Sequence, residues 1–185
     1  MRKSKSYLRS LILFSVLLFA VIVFSNKNVS ANTHFAIAEP VQLQEIALSG
    51  RFTNSLIERD VFDLINQQRV KHKLGNLIWN DKLSKMARAY SKQMAKENFF
   101  SHFDSEGRSI VERADDFEID DWKKIGENLF FSEGYVSPSR IAVNGWRKSP
   151  SHWKNILDKE WTHTGVGAYE TRNGKTYITQ VFVKR

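Results

Sequence analysis

Two runs near the C-terminus, Val166 to Thr171 and Thr176 to Val183, read as strands yet carry apolar side chains on both faces. Between them lies Asn173-Gly174, the pair favoured in two-residue type I′ hairpins. That register sets Arg172 opposite Lys175, Glu170 opposite Tyr177 and Gly167 opposite Gln180. It places Val166 and Val181 on one face, with Tyr169, Ile178 and Phe182 on the other. A hairpin apolar on two sides must be covered on two sides. With helical patterns filling the rest of the chain, the expected fold is α+β: a three-layer α-β-α sandwich with a small central antiparallel sheet. Gly165 and Gly167 alternate on one strand face, which predicts close packing of a large side chain there.

The helical patterns are specific. Ile57, Val61, Leu64 and Ile65 predict an amphipathic helix over about residues 55–73. Leu83, Ala87, Tyr90 and Met94 predict a second, capped by Asn80 or Asp81 and running to about Glu97. Ser109 and Glu112 form a capping box before a short helix carrying Ile110, Ala114 and Phe117. Ser137-Pro138 opens a helix that buries Ile141, Ala142 and Trp146. Ser149-Pro150 repeats the device and starts a turn carrying Ser151, His152 and Trp153. Trp79 and Trp146 are both expected in the core.

The N-terminus has a different character. Met1–Ser10 is basic, Leu11–Phe24 is apolar apart from Ser15, and Val29-Ser30-Ala31 supplies small residues. This is the order of a secretory signal, with cleavage expected after Ala31. An uncleaved anchor is the alternative, and would be the chain's one membrane contact. Either outcome puts the following residues outside the cytoplasm, secreted or at the cell surface. Residues 32–55 read as a leader or linker and 56–185 as the domain. The net charge of +8 is largely a property of the signal: without residues 1–31 the chain holds 23 basic and 20 acidic residues. So balanced a body gives no electrostatic reason to expect nucleic acid. The chain has no Cys, so an exported domain would be held by its core and not by disulfides.

No Gly-rich phosphate loop, His-Glu-x-x-His or Gly-x-Ser-x-Gly motif is present. Five His remain. His34 falls in the linker, and His72 near a helix C-terminus, where a cation suits the dipole. His163 caps the start of a strand or lines a cleft. His102 sits among Phe99, Phe100 and Phe103; Glu127 lies between Gly126 and an apolar run; His152 follows the Ser149-Pro150 turn. Two imidazoles and a carboxylate can bind Zn²⁺ or another divalent metal with one position open, His102 and His152 serving as ligands. Alternatively Glu127 orients one His, or ties loops together by accepting backbone N–H bonds. Ser149 and Ser151 beside His152 invite a Ser–His nucleophile, but no oxyanion loop is visible, and Ser149 is better used as a cap.

Taken in order, several segments resemble the CAP superfamily, or SCP domain, in its bacterial Cys-free branch. They are Ile65–Arg69, Leu77–Asn80, Phe100–Asp104, Gly126–Leu129, Trp146–His152 with Asn155–Leu157, Thr164–Gly167 and Tyr177–Phe182. The resemblance implies an α-β-α sandwich and a central cleft, which in eukaryotic members holds two His and two Glu. His102 and Glu127 match the first of each. The second Glu falls on Ser149 and the second His on Tyr177, with His152 a replacement imidazole. The implied role is cleft-based binding of a lipid, a cell-wall component or a protein, rather than catalysis. His102, Glu127, His152 and Tyr177 would line the cleft. The alternatives are a metal-assisted hydrolase using His102, Glu127 and His152, and an interaction module with a structural cleft.

Overall fold

A computed structural model describes residues 41–134 and 137–185, with side chains from residue 53 onward. The expected signal segment and His34 lie outside these residues. Helix α1 (Val41–Lys71) leads into a two-residue strand β1 (Ile78–Trp79) and helix α2 (Asp81–Glu97). A short helix α3 (Ile110–Asp116) precedes the long strand β2 (Lys124–Glu133). Helices α4 (Pro138–Lys148) and α5 (Pro150–Ile156) follow, then strands β3 (His163–Glu170) and β4 (Lys175–Lys184).

The strands form one sheet in the order β1-β3-β4-β2. β4 is antiparallel to both β3 and β2, while β1 pairs in parallel with β3, so the sheet is mixed at one edge. On one side Ile57, Val61 and Ile65 of α1, Ala142, Val143 and Trp146 of α4 and Ile156 of α5 pack on Val166, Ala168, Ile178 and Phe182. On the other, Leu83, Met86 and Ala87 of α2 and Ala114 of α3 pack on Val181 and Val183. Tyr90, Met94, Leu129 and Tyr177 continue that layer. The three layers are those expected.

Three local expectations are corrected. Helix α1 begins at Val41, not near residue 55, so most of the supposed linker from 41 on is helical. Residues 41–49 have no amphipathic stripe, but Gln, Leu, Glu and Ala are good helix formers without one. The hairpin is shifted by one residue. Tyr169 faces Tyr177 and Gly167 faces Thr179, because the loop is Arg172-Asn173-Gly174. Gly174 N–H donates to Thr171 O at 3.0 Å, and Gly174 takes φ 78°, as in a type I turn followed by a bulged Gly. The slip moves Val181 to the α2 side and leaves Val166 with Ile178 and Phe182 on the α1 side. Finally, the two strand glycines admit a helix backbone, not a large side chain. A Cβ on Gly165 would lie 2.3 Å from Ser84 N, and one on Gly167 2.0 Å from Arg88 N.

The open edge of β3 beyond β1 is closed by α1. Glu58 Oε1 accepts from Ala168 N–H at 3.0 Å and Asn54 Oδ1 from Glu170 N–H at 3.1 Å. Four residues of helix rise match two of strand, so Asn54 and Glu58 act in place of a neighbouring strand. At the opposite edge, Trp146 Nε1–H donates to Leu129 O at 2.8 Å and Asn155 Nδ2 to Glu127 O at 3.2 Å.

The two tryptophans differ. Trp146 is 1% exposed, whereas Trp79 is only partly buried, edge-on to Phe62 with Arg59 over its ring. Trp146→Ala is therefore expected to lose about 3–5 kcal/mol, the range for a buried Trp, and its bond to Leu129 O. Trp79→Ala is expected to lose clearly less. Equal drops in melting temperature would contradict this ranking.

Candidate functional site

The site forms at the free edge of β2, where both helical layers reach around the sheet. Asn98 ends α2 in the left-handed region (φ 53°), which turns the chain sharply and carries His102 back toward β2. Tyr90 Oη–H fixes this loop by donating to Ser101 O at 2.6 Å. β2 points Glu127, Leu129 and Phe131 to the α2 side by alternation. From the other side, α5 brings His152, whose carbonyl accepts from Asn128 Nδ2 at 3.1 Å. Asn155 Nδ2 also donates to Asn128 Oδ1 at 2.9 Å, tying α5 to β2.

Glu127 is the centre of the arrangement. Its side chain is 4% exposed. Oε1 meets His102 Nδ1 at 2.8 Å, and Oε2 accepts from Arg113 Nη2 at 2.8 Å. Arg113 is itself buried. Its Nη1 donates to His102 O and Arg108 O, and its guanidinium lies 3.5 Å over the Tyr90 ring. The capping box of α3 forms and fixes the helix that supplies Arg113. Burial pushes the Tyr90 phenol up to about 12, against the opposing effect of Arg113. A carboxylate bridging a guanidinium and Nδ1 holds the His102 ring in one orientation. With Nδ1–H toward Glu127, the ring turns Nε2 outward. The ring is about half exposed.

His152 approaches the same edge. Its pKa lies below the ordinary His value, first because of burial and then because of the charge on His102. The folded chain therefore binds fewer protons at His152 than the unfolded chain. Stability is expected to fall as pH drops through about 6.5, the unperturbed value. His102→Gln removes the neighbouring charge and is expected to raise the pKa of His152, read from its Cε1–H resonance. A His152 that titrates identically in both proteins would separate the two rings.

Tyr177, expected at the cleft, is buried. It is 4% exposed and supports Phe131 from below, with ring centroids 4.8 Å apart. Phe131 in turn meets Phe100 at 6.1 Å. Phe100, Phe103 and Phe131 are exposed, so an aromatic ledge borders His102. His163 is two strands away from β2, bonded to Thr162 Oγ1 at 2.9 Å, and His72 packs edge-on against Trp153. Ser149 makes no side-chain cap to α5; its Oγ instead meets Ser151 Oγ at 3.3 Å. Arg113 was not singled out in the sequence, although it follows the capping-box Glu and is the one partner that makes Glu127 intelligible.

The residues do not fit a resident metal centre. Among the described residues, no three His, Cys, Asp or Glu side chains are grouped to hold an ion. Both Glu127 oxygens are committed, to His102 and to Arg113. Two imidazoles remain, one short of the usual three protein ligands of a catalytic zinc site.

Residues 62–182 match the model of the cysteine-rich secretory protein family, CAP. The chain belongs to the CAP family. An uncharacterized membrane protein of Bacillus subtilis (strain 168), YlbC, is 35% identical over 128 residues, covering 69% of this chain and 34% of that protein. An uncharacterized protein of the same organism, YkwD, is 37% identical over 117 residues, covering 63% and 44%. The chain thus spans less than half the length of these curated relatives. An extracellular protein containing an SCP domain from Bacillus anthracis str. Ames is similar in structure. It has a TM-score of 0.64 and 27% identity, covering 80% of this chain and 44% of that one. An outer surface protein of Borrelia burgdorferi shares the fold at a TM-score of 0.61 and 22% identity, covering 67% and 89%.

Proposed function

We propose that this chain is an exported or surface-held CAP domain that binds a ligand at the β2 edge, between His102 and His152. The supporting observation is the Arg113–Glu127–His102 relay. A buried ion pair is a poor stabiliser compared with apolar packing of the same volume. Here it instead fixes a half-exposed imidazole with Nε2 facing outward. The ledge of Phe100 and Phe131 adds apolar contact area beside that polar group. A ligand that fits has one hydrogen-bonding group for His102 and an apolar face for the ledge, as a lipid or a cell-wall fragment has. The basic, apolar and small-residue order of the N-terminus supports an exterior location, as do similar proteins described as extracellular or outer-surface.

A metal-assisted hydrolase with Glu127 as base draws no support from this geometry, because the carboxylate is 4% exposed and each of its oxygens already meets His102 or Arg113. The test is an NMR titration of the His102 and His152 imidazoles in the full chain. Solubilised peptidoglycan fragments, a single-chain phospholipid and Zn²⁺ serve as separate probes. One organic probe is expected to move both imidazoles saturably, and His102→Gln or Phe100→Ala to weaken it. Zn²⁺ is expected to bind weakly and to be lost as pH falls, because it needs neutral imidazoles. Organic probes that leave both rings unmoved would refute the binding reading; tight Zn²⁺ binding would restore the metal centre.

A further inference from the structure

We propose that the outer face formed by the end of α4 and by α5 is a docking surface for a linear phosphate-bearing polymer outside the cell. Residues 137–157 contain Arg140, Arg147, Lys148 and Lys154 and not one Asp or Glu. On α4, Ser139, Ala142, Val143 and Trp146 are buried, and Arg140, Asn144, Arg147 and Lys148 form the opposite, exposed stripe. Lys154 is exposed on α5. The edge contact of His72 with Trp153 brings the end of α1 to the same place, adding exposed Lys71 and Lys73.

The acids nearest in sequence are spent elsewhere. Asp158 and Glu160 both pair with Lys124, and Glu160 also with Lys184. Asp60 lies at the start of α4, where Ser139 Oγ donates to it at 3.3 Å, so Arg140 borders an acid and the unopposed charge is Arg147, Lys148 and Lys154. The dipoles of α4 and α5 favour cations in their last turns, where Arg147, Lys148 and Lys154 lie, but do not account for the missing acids over 21 residues. A second basic stripe, Lys85, Lys92 and Lys96 on α2, is a useful contrast. Asp81 and Glu97 flank it, and Lys82 Nζ reaches Glu118 O in the acid-rich segment 112–121. Its field is opposed at short range.

Three features choose the occupant. The exposed cations are spread over two successive helices, Arg147 and Lys148 on α4 and Lys154 on α5, which suits repeated charges better than one small anion. Among the described residues α4 and α5 carry no exposed large apolar side chain and the end of α1 adds only Val70, too few for the anchors of a bilayer-binding helix. Its tryptophans are a poor platform for stacked nucleic-acid bases, since Trp146 is buried and Trp153 is only partly exposed and met edge-on by His72. A polyol-phosphate chain satisfies all three. This inference takes only the exterior location from the reading above.

The experiment measures binding of the full chain to poly(glycerol phosphate) over a range of salt concentrations, with no cleft ligand present. In nucleic acids each phosphate neutralised contributes about 0.7–0.9 to the log–log salt slope, and the same scale is expected here. The triple variant Arg147→Glu, Lys148→Glu, Lys154→Glu is expected to lower the slope by roughly two to three and to weaken binding at least about tenfold at low salt. All three side chains are exposed, so an unchanged melting temperature verifies folding. Lys85→Glu with Lys92→Glu is expected to leave binding nearly unchanged. An unaffected triple variant, or an equal loss from the α2 pair, overturns the proposal. So does binding to anionic vesicles or single-stranded DNA as tight as to the polymer. Failure of every cleft probe leaves this measurement standing, which keeps the two readings separable.

Discussion

Gly167→Ala is expected to destabilise the domain by about 3 kcal/mol or more, at the upper end of what overpacking costs. The reason is the identity of the neighbours. A Cβ at residue 167 would stand 2.0 Å from Arg88 N and 2.2 Å from Ala87 C, atoms of a helix backbone that cannot rotate aside. To admit the methyl, α2 must lift from the sheet. That loosens Leu83, Met86 and Ala87, and strains the bond from Ser91 Oγ–H to Gly167 O at 2.9 Å. It also pulls on Arg88, whose guanidinium grips buried Glu58 at 2.8 Å. For a domain of this size the melting temperature should fall by roughly 10 °C. Gly75→Ala is the control, because a Cβ there meets nothing within 4 Å. Thermal melts that fail to separate the two variants would mean that α2 is not seated on β3 as described.

The same glycines show where the sequence was legible. Their alternation announced close packing, and the apolar hairpin announced two covering layers, because both depend on period alone. What the hairpin pattern did not carry was register. Asn173-Gly174 suits a two-residue turn, but Thr171 supplies a side-chain bond to Lys175 N–H at 2.9 Å that stabilises the longer loop. One residue of slip then put Val166 on the face of Ile178 and Phe182, and Tyr169 on that of Val181. At the site, His102, Glu127 and His152 were visible as polar residues in apolar or small-residue company, and two of them matched the family's pattern. Tyr177 was read as a cleft residue because the pattern puts a His there. A tyrosine at that position is long enough to extend into the layer of Tyr90 and Leu129, so it became core. Arg113 escaped notice because an Arg in a short acidic helix looks like a solvated charge. Only the fold shows that it lies over the Tyr90 ring with Glu127 as its counter-ion.

Glu127→Ala is expected to cost about 3–5 kcal/mol, chiefly through the charge it abandons. Arg113 is 6% exposed and loses its one carboxylate partner at 2.8 Å, while its bonds to two carbonyls supply no counter-charge. The double variant Glu127→Leu with Arg113→Met removes both charges and keeps the volume, so it should recover much of that loss. Stability and site geometry then part company. With no carboxylate at Nδ1, His102 should show mixed tautomers in its ¹⁵N shifts, where the wild type shows the Nδ1–H form. Glu127→Gln should fall between, since the amide oxygen can still accept from either neighbour but carries no charge. A double variant no more stable than Glu127→Ala would show that the cost is not the orphaned guanidinium. A recovered double variant with an unchanged His102 tautomer would show that the loop, and not Glu127, orients the ring, and the binding site proposed above would lose its positioning residue.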